Sequence, residues 1–250
     1  MSDSTPTAKP SAGRVAGMWA KEIAIVVIGA LVASTLLRLF VAQMFVIPSG
    51  SMENTLLIRD RVMVQKVAGW SRGDIVVFRD TQGWLADPVE ETDPIRKTLI
   101  FIGLAPDESS NHLIKRVIGL PGDHVKCCDA GGRLTVNGQP LDEGDYLYST
   151  GYETVEPSAM PFDVVVPKDR LWVMGDHRDN SQDSRCHLDE GTGGMAAFVP
   201  TADVVGSSVA IVFPFDRWRG LSRPATFDRV PGSTTPAPDR PVITGPTPVC

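Results

Sequence analysis

The residues with the most to offer chemically lie in Pro48-Ser49-Gly50-Ser51-Met52, inside the stretch Phe45–Met52. Pro48 fixes its own φ and holds Ile47 extended. Gly50 lets the main chain turn sharply and approach a partner closely. A serine just after such a turn presents its hydroxyl to an incoming chain, and two serines flank the glycine. One is placed to attack an electrophile while the other stabilises developing charge. Taken alone, Pro48-Ser49-Gly50-Ser51 reads first as an ordinary Pro-Ser-Gly turn. A serine also needs a base to take its proton. The four histidines, His112, His124, His177 and His187, stand in no recognisable triad signature, although triad order varies too much for that to exclude one. A lysine serves only where burial disfavours its ammonium, since with an ordinary pKa near 10.4 about one in 2,500 is neutral at pH 7.

Two longer blocks decide between these readings. Lys115 lies in Leu113-Ile114-Lys115-Arg116-Val117-Ile118-Gly119-Leu120-Pro121-Gly122-Asp123, and Gly175-Asp176-His177-Arg178-Asp179-Asn180-Ser181-Gln182-Asp183-Ser184-Arg185 follows. In this order, after an N-terminal apolar segment, the three blocks resemble those of bacterial type I signal peptidases. The direct match covers roughly a third of the chain, and the longer blocks are far more specific than a lone short motif.

The resemblance implies a role for each matching residue. Ser51 corresponds to the nucleophile and Lys115 to the general base. Ser49 corresponds to the hydroxyl that joins the Ser51 backbone N–H in the oxyanion hole. Ser181 corresponds to a residue that orients the lysine amine by a hydrogen bond. Asp183 and Arg185 correspond to an ion pair supporting the site, against the plain reading of a surface pair of little energetic value. Ile47, Met52, Leu56 and Ile114 correspond to walls of shallow substrate pockets, with a core role as the competing reading for each. Lys115 marks the bacterial Ser/Lys type, because eukaryotic-type relatives carry histidine there. In a strand Leu113 and Val117 share a face with Lys115 and help to desolvate it, whereas His112 points to the other face. His177 departs from the family block, which usually has Asn at this position.

The elements that must position these residues begin with an apolar run. Ile23–Leu37 carries no charge, and Leu39–Val41 extends it past Arg38. As a helix, Ile23–Phe40 spans about 27 Å, close to the ~30 Å of a bilayer's hydrocarbon core. A buried core helix and a cleaved leader are the alternatives, but no clear Ala-x-Ala site follows the run. The expectation is a retained transmembrane anchor over 18–40, preceded by a flexible cytoplasmic tail over 1–17. Lys9, Arg14 and Lys21 precede the run and Arg38, Arg59 and Arg61 follow it, so nearby charge sets orientation only weakly. The resemblance places the following domain on the extracytoplasmic side of a bacterial cell membrane.

Beyond the anchor the pattern is extended, and the fold expected is mainly β. Arg61–Val67 alternates with period two; Asp74–Arg79, Leu113–Ile118, Leu171–Met174 and Ser208–Phe213 are further strand candidates. Leu134–Leu141 contains Asn137-Gly138, a hairpin signal. The expected layout is a β-rich catalytic core over 41–123 and 171–219, with a loop excursion over 80–110. A smaller β subdomain, 124–170, is inserted into it, and 220–250 reads as a Pro-rich flexible tail. Trp70, Trp84, Phe215 and Trp218 suit either the membrane interface or the core.

The net charge of −6 over 250 residues argues against a nucleic-acid partner. Cys127, Cys128, Cys186 and Cys250 show no metal-ligand spacing. In an exported domain Cys186 is placed to bridge to Cys127 or Cys128, with free thiols as the alternative. The resemblance implies a serine endopeptidase, without cofactor or metal, whose partners are the lipid bilayer and the signal peptides of secreted pre-proteins. The substrate would carry small residues at the first and third positions before the cut. A penicillin-binding protein is a rival Ser/Lys class, but its Ser-x-x-Lys spacing is absent. Self-cleaving repressors would carry a DNA-binding helix pair instead of an apolar span. A non-catalytic, membrane-anchored β scaffold is the remaining alternative, and it requires no convergence of Ser51, Lys115 and Ser181.

Overall fold

The computed structural model describes residues 12–85, 92–102, 111–189 and 191–246. A long helix, α1 (Ala12–Phe40), opens it. Of the tail expected over 1–17, residues 12–17 belong to this helix and 1–11 lie outside the described residues. The helix segment Met18–Phe40 has a mean hydropathy of 2.4 and none of its apolar window is buried in the protein. A helix that is apolar all round and leaves this window unburied needs an apolar surrounding. The strands that follow are β1 (Ala42–Val46), β2 (Arg61–Gln65), β3 (Ile75–Arg79), β4 (His112–Gly119), β5 (His124–Cys127), β6 (Thr135–Val136), β7 (Gln139–Pro140), β8 (Phe162–Val165), β9 (Arg170–Met174), β10 (Val199–Pro200), β11 (Val204–Phe213), β12 (Arg219–Gly220) and β13 (Val242–Ile243). The five strand candidates read from the sequence all appear, with ends shifted by a few residues.

These strands form two antiparallel sheets. The larger has the order β1-β2-β11-β3-β4-β9-β10, with β12 added beside β11; the smaller has the order β13-β8-β5-β6-β7. The hairpin between β6 and β7 turns through Asn137 and Gly138, both at positive φ (53° and 77°), which is the conformation a two-residue hairpin turn requires. One buried cluster joins Val125, Val136, Phe162 and Val164 of the smaller sheet to Ile118, Trp172 and Met174 of the larger. A second, with Phe45, Ile47, Met52, Leu56, Val62, Val64 and Ile114, lies under β1 and the segment after it.

Several expectations are corrected. Within the 80–110 excursion a helix, α2 (Pro94–Ile102), forms; Pro94 fits its first position, where the missing N–H costs nothing. The rest of that excursion includes 86–91 and 103–110, which lie outside the described residues. The stretch from Gly220 is built into the fold instead of forming a tail: Phe227 and Val230 are buried in the first cluster, and Val242–Ile243 pairs with β8. Ser233 Oγ also donates to Gly122 O at 2.7 Å. Proline-rich composition was misleading because a few scattered apolar side chains are enough to anchor this segment. Trp84 is a core residue whose indole N–H donates to Ala196 O at 2.8 Å, whereas Phe215 and Trp218 are exposed. Cys127 and Cys128 are bonded to each other, so neither bridges to Cys186.

Candidate active site

The site is assembled from three segments. A single 3-10 turn over Gly50–Met52 follows β1, and Ser51, at its centre, is buried. Pro48 and Gly50 set the bend, and Glu53 N–H closes it on Gly50 O at 3.0 Å. Strand β4 is interior to its sheet, flanked by β3 and β9. Lys115 pairs there with Val76, and period-two alternation puts it on the face of Leu113 and Val117. Val76 and Val117 are fully buried in one apolar cluster against which Leu113 packs. The third segment is the loop after β9, from Gly175 to Arg185.

Lys115 Nζ donates to Ser51 Oγ at 2.6 Å, and both residues are buried. Burial pushes the Lys115 amine down to about 8; Asp183 and, less strongly, Asp176 oppose that, while Arg185 reinforces it. At pH 7 about one molecule in ten then carries a neutral amine, roughly two hundred times the fraction of an ordinary lysine. A neutral amine 2.6 Å from a hydroxyl oxygen is within reach to accept its proton.

The loop after β9 supports both partners from behind. Arg185 and Asp183 form a buried pair at 2.8 Å. Burial alone would raise the Asp183 carboxyl, but the Arg185 guanidinium, by charge and by hydrogen bond, holds it below the usual carboxylate range. Asp183 Oδ2 also accepts from Ser181 Oγ at 2.8 Å and from Gly175 N at 3.0 Å. Ser181 thus gives its hydroxyl proton to a carboxylate, the stronger acceptor, which leaves its oxygen as the atom that can meet an amine.

The remaining site candidates fall in different places. Ser49 is exposed at the start of the Ser51 turn and makes no side-chain capping bond. Ile47, Met52, Leu56 and Ile114 all sit in the second buried cluster, with Met52 and Leu56 fully enclosed. Ser181 also lines a cavity of about 740 Å³, together with Val155, Met160, Arg185 and Cys186.

A family model described as signal peptidase, peptidase S26, matches residues 19–213. The chain belongs to the signal peptidase family, peptidase S26. Signal peptidase I of Mycobacterium tuberculosis is 36% identical over 79% of this chain and 74% of its own. Signal peptidase I of Leptolyngbya laminosa is 32% identical over 89% of this chain and 95% of its own. A crystal structure of a signal peptidase I from Enterococcus faecalis is 22% identical, covers 56% of this chain and 97% of its own, and superposes with a TM-score of 0.34. Signal peptidase function at a membrane follows from this membership, and the helix Met18–Phe40 suits it.

Four contacts in this signal peptidase escaped the sequence reading. Arg116 pairs with Asp176 through two bonds, 2.8 and 2.5 Å, deep in the interior. Thr55 Oγ1 donates to the same carboxylate at 2.5 Å, which ties the segment after Ser51 to β4. The signal that could have found the pair was an arginine inside the apolar run Ile114–Ile118, since a charge in a buried strand needs a partner. Gly175 packs against Ser51, and His177 contacts Glu53 at 2.9 Å. Neither contact has a signature in local sequence.

Proposed function

We propose that this chain is a membrane-anchored serine endopeptidase of the Ser/Lys type that removes signal peptides from exported pre-proteins. The observation that carries the proposal is the buried 2.6 Å contact between Lys115 Nζ and Ser51 Oγ. A non-catalytic scaffold gives no reason to bury a lysine amine against a serine, because desolvating an ammonium is costly.

In this reading neutral Lys115 accepts the Ser51 proton as Oγ bonds to the scissile carbonyl carbon. The resulting oxyanion is met by the Ser51 backbone N–H and the Ser49 hydroxyl, which must rotate inward from its exposed position. The C–N bond breaks and Lys115 delivers its proton to the leaving amine, the new N-terminus of the mature protein. Lys115 then takes a proton from water, whose oxygen attacks the acyl carbon. The signal peptide leaves as a free acid and Ser51 regains its proton. Asp183, Arg185 and Ser181 hold the loop behind the lysine. Ile47, Met52, Leu56 and Ile114 support the floor on which small side chains rest.

About ten residues separate Phe40 from Ser51, so the nucleophile lies within about 35 Å of the end of the span. Phe213, Phe215 and Trp218 are also exposed, and aromatic side chains of this kind suit a membrane interface. This setting fits a bond that emerges just outside the bilayer, with the domain on the extracytoplasmic side. The test is cleavage of a pre-protein in detergent by wild type and Ser51→Ala. Abolished cleavage with an unchanged melting temperature is expected; full activity of the variant would remove Ser51 from the chemistry.

A further inference from the structure

The residue after Asp176 touches the Ser51 turn twice. The His177 backbone N–H donates to the Ser51 carbonyl oxygen at 3.1 Å. Its ring Nδ1 lies 2.9 Å from Glu53 Oε2. Glu53 in turn folds back over the turn. Its N–H donates to Gly50 O at 3.0 Å, and a Cβ at residue 50 would sit only 2.9 Å from the Glu53 carboxyl carbon. The carboxylate therefore covers the glycine immediately before Ser51. The ring itself is fixed on two further sides. It stacks on Tyr148 with centroids 3.8 Å apart, and Nε2 lies 3.2 Å from Asp179 Oδ1. Its side chain is only 12% exposed, so it is not the solvated loop histidine that a polar sequence context suggests.

We propose that His177 is a positioning residue for the nucleophile, acting through Glu53 to fix the Gly50–Ser51 turn against Lys115. Serine and lysine sit on different segments, so their contact depends on where the turn is held relative to β4. The His177 amide holds the turn at residue 51 and its ring holds the turn at residue 53. The bond that matters is the one from Nδ1. Asparagine places its side-chain nitrogen the same number of bonds from Cα as Nδ1 and can donate to Glu53 in its place. Glutamine places its nitrogen one bond further out, nearer the position of Nε2. The order His, Asn, then Gln or Ala is thus a prediction of this geometry. The proposal rests on Ser51 being the nucleophile.

The experiment measures kcat and KM for detergent-solubilised full chain on a pre-protein, with Ser51→Ala as reference. His177→Ala and Glu53→Ala should each lower kcat about 10- to 100-fold, the scale of a small misplacement of a reacting group, with KM nearly unchanged. The double variant should be no worse than either single one, because both break the same contact. His177→Asn should restore most of kcat and His177→Gln should not. Loss of kcat that tracks loss of melting temperature, without rescue by Asn, would overturn the proposal in favour of a merely structural histidine. Unchanged kcat in His177→Ala alongside an inactive Ser51→Ala would overturn it while leaving the nucleophile assignment standing. An active Ser51→Ala would bring down both.

Discussion

Gly175 packs directly against the main chain of Ser51. A Cβ at residue 175 would fall inside van der Waals contact of the Ser51 carbonyl oxygen and of the Ser181 side chain. The glycine is needed here for close approach, since any side chain would push the loop after β9 off the Ser51 turn. Gly175 N–H donates to Asp183 at the same point, so the glycine also joins the turn to the buried ion pair.

Gly175→Ala should therefore separate Ser51 from Lys115. The expected loss is about 100-fold or more in kcat/KM, with a stability cost of about 1–3 kcal/mol for the overpacked interior. Cleavage kinetics and urea denaturation read the two effects separately. Wild-type turnover in a stably folded Gly175→Ala protein would show that the loop and the turn have room to relax.

The same loop shows where sequence reasoning reached and where it stopped. Ser51, Lys115, Asp183 and Arg185 stood out because the blocks they sit in resemble those of a known family, and the fold brings Ser51 to Lys115 and Asp183 to Arg185. The strands around Lys115 were legible because apolar periodicity is a local signal. Gly175 against Ser51, and Arg116 with Asp176, are contacts between distant segments, and a single sequence carries no record of such pairs. Ile47, Met52, Leu56 and Ile114 were matched to substrate walls, yet the structure buries them in one cluster. An apolar type at a motif position does not distinguish a pocket wall from the layer beneath it. The tail failed for another reason: Phe227, Val230, Val242 and Ile243 are too few to change the polar, Pro-rich character of the stretch, but they are enough to dock it.

The Lys115 amine is held down to about 8 by burial, and the proposed mechanism makes it the source of the pH dependence. In the proposed mechanism the neutral form is the base, so single-turnover cleavage should rise about tenfold between pH 6 and 7 and level off above pH 8 to 9. Lys115→Arg should abolish turnover, because a guanidinium stays protonated. The linkage to stability has the opposite sense from that of a lysine gaining a partner. The folded pKa lies below the unfolded one, so the cost of burying the ammonium is fully present below pH 8. It is relieved as pH rises from 8 towards the unfolded value. Lys115→Met should thus be inactive and more stable than wild type at pH 6. A flat rate profile between pH 6 and 8, or turnover by Lys115→Arg, would remove Lys115 as the base.

Asp183→Asn separates the electrostatic role of the loop from its packing. The amide oxygen can still accept from Ser181 and Gly175, so the geometry around Ser51 is retained. The charge is lost, and Arg185, only 2% exposed, is left without its carboxylate. Removing one partner of a buried pair typically costs about 3–5 kcal/mol, and a fall of that order in the unfolding free energy from urea denaturation is expected. The effect on the base goes the other way. Asp183 favours the Lys115 ammonium, so its neutralisation should lower the lysine further. The acid limb of the rate profile should then move to lower pH in whatever fraction remains folded. Stability and pH profile should therefore change together in a fixed sense, less stable and more active at pH 6 per folded molecule. An acid limb that stays in place would show that the Asp183 charge does not reach Lys115, and one that moves to higher pH would show that the variant has rearranged the loop.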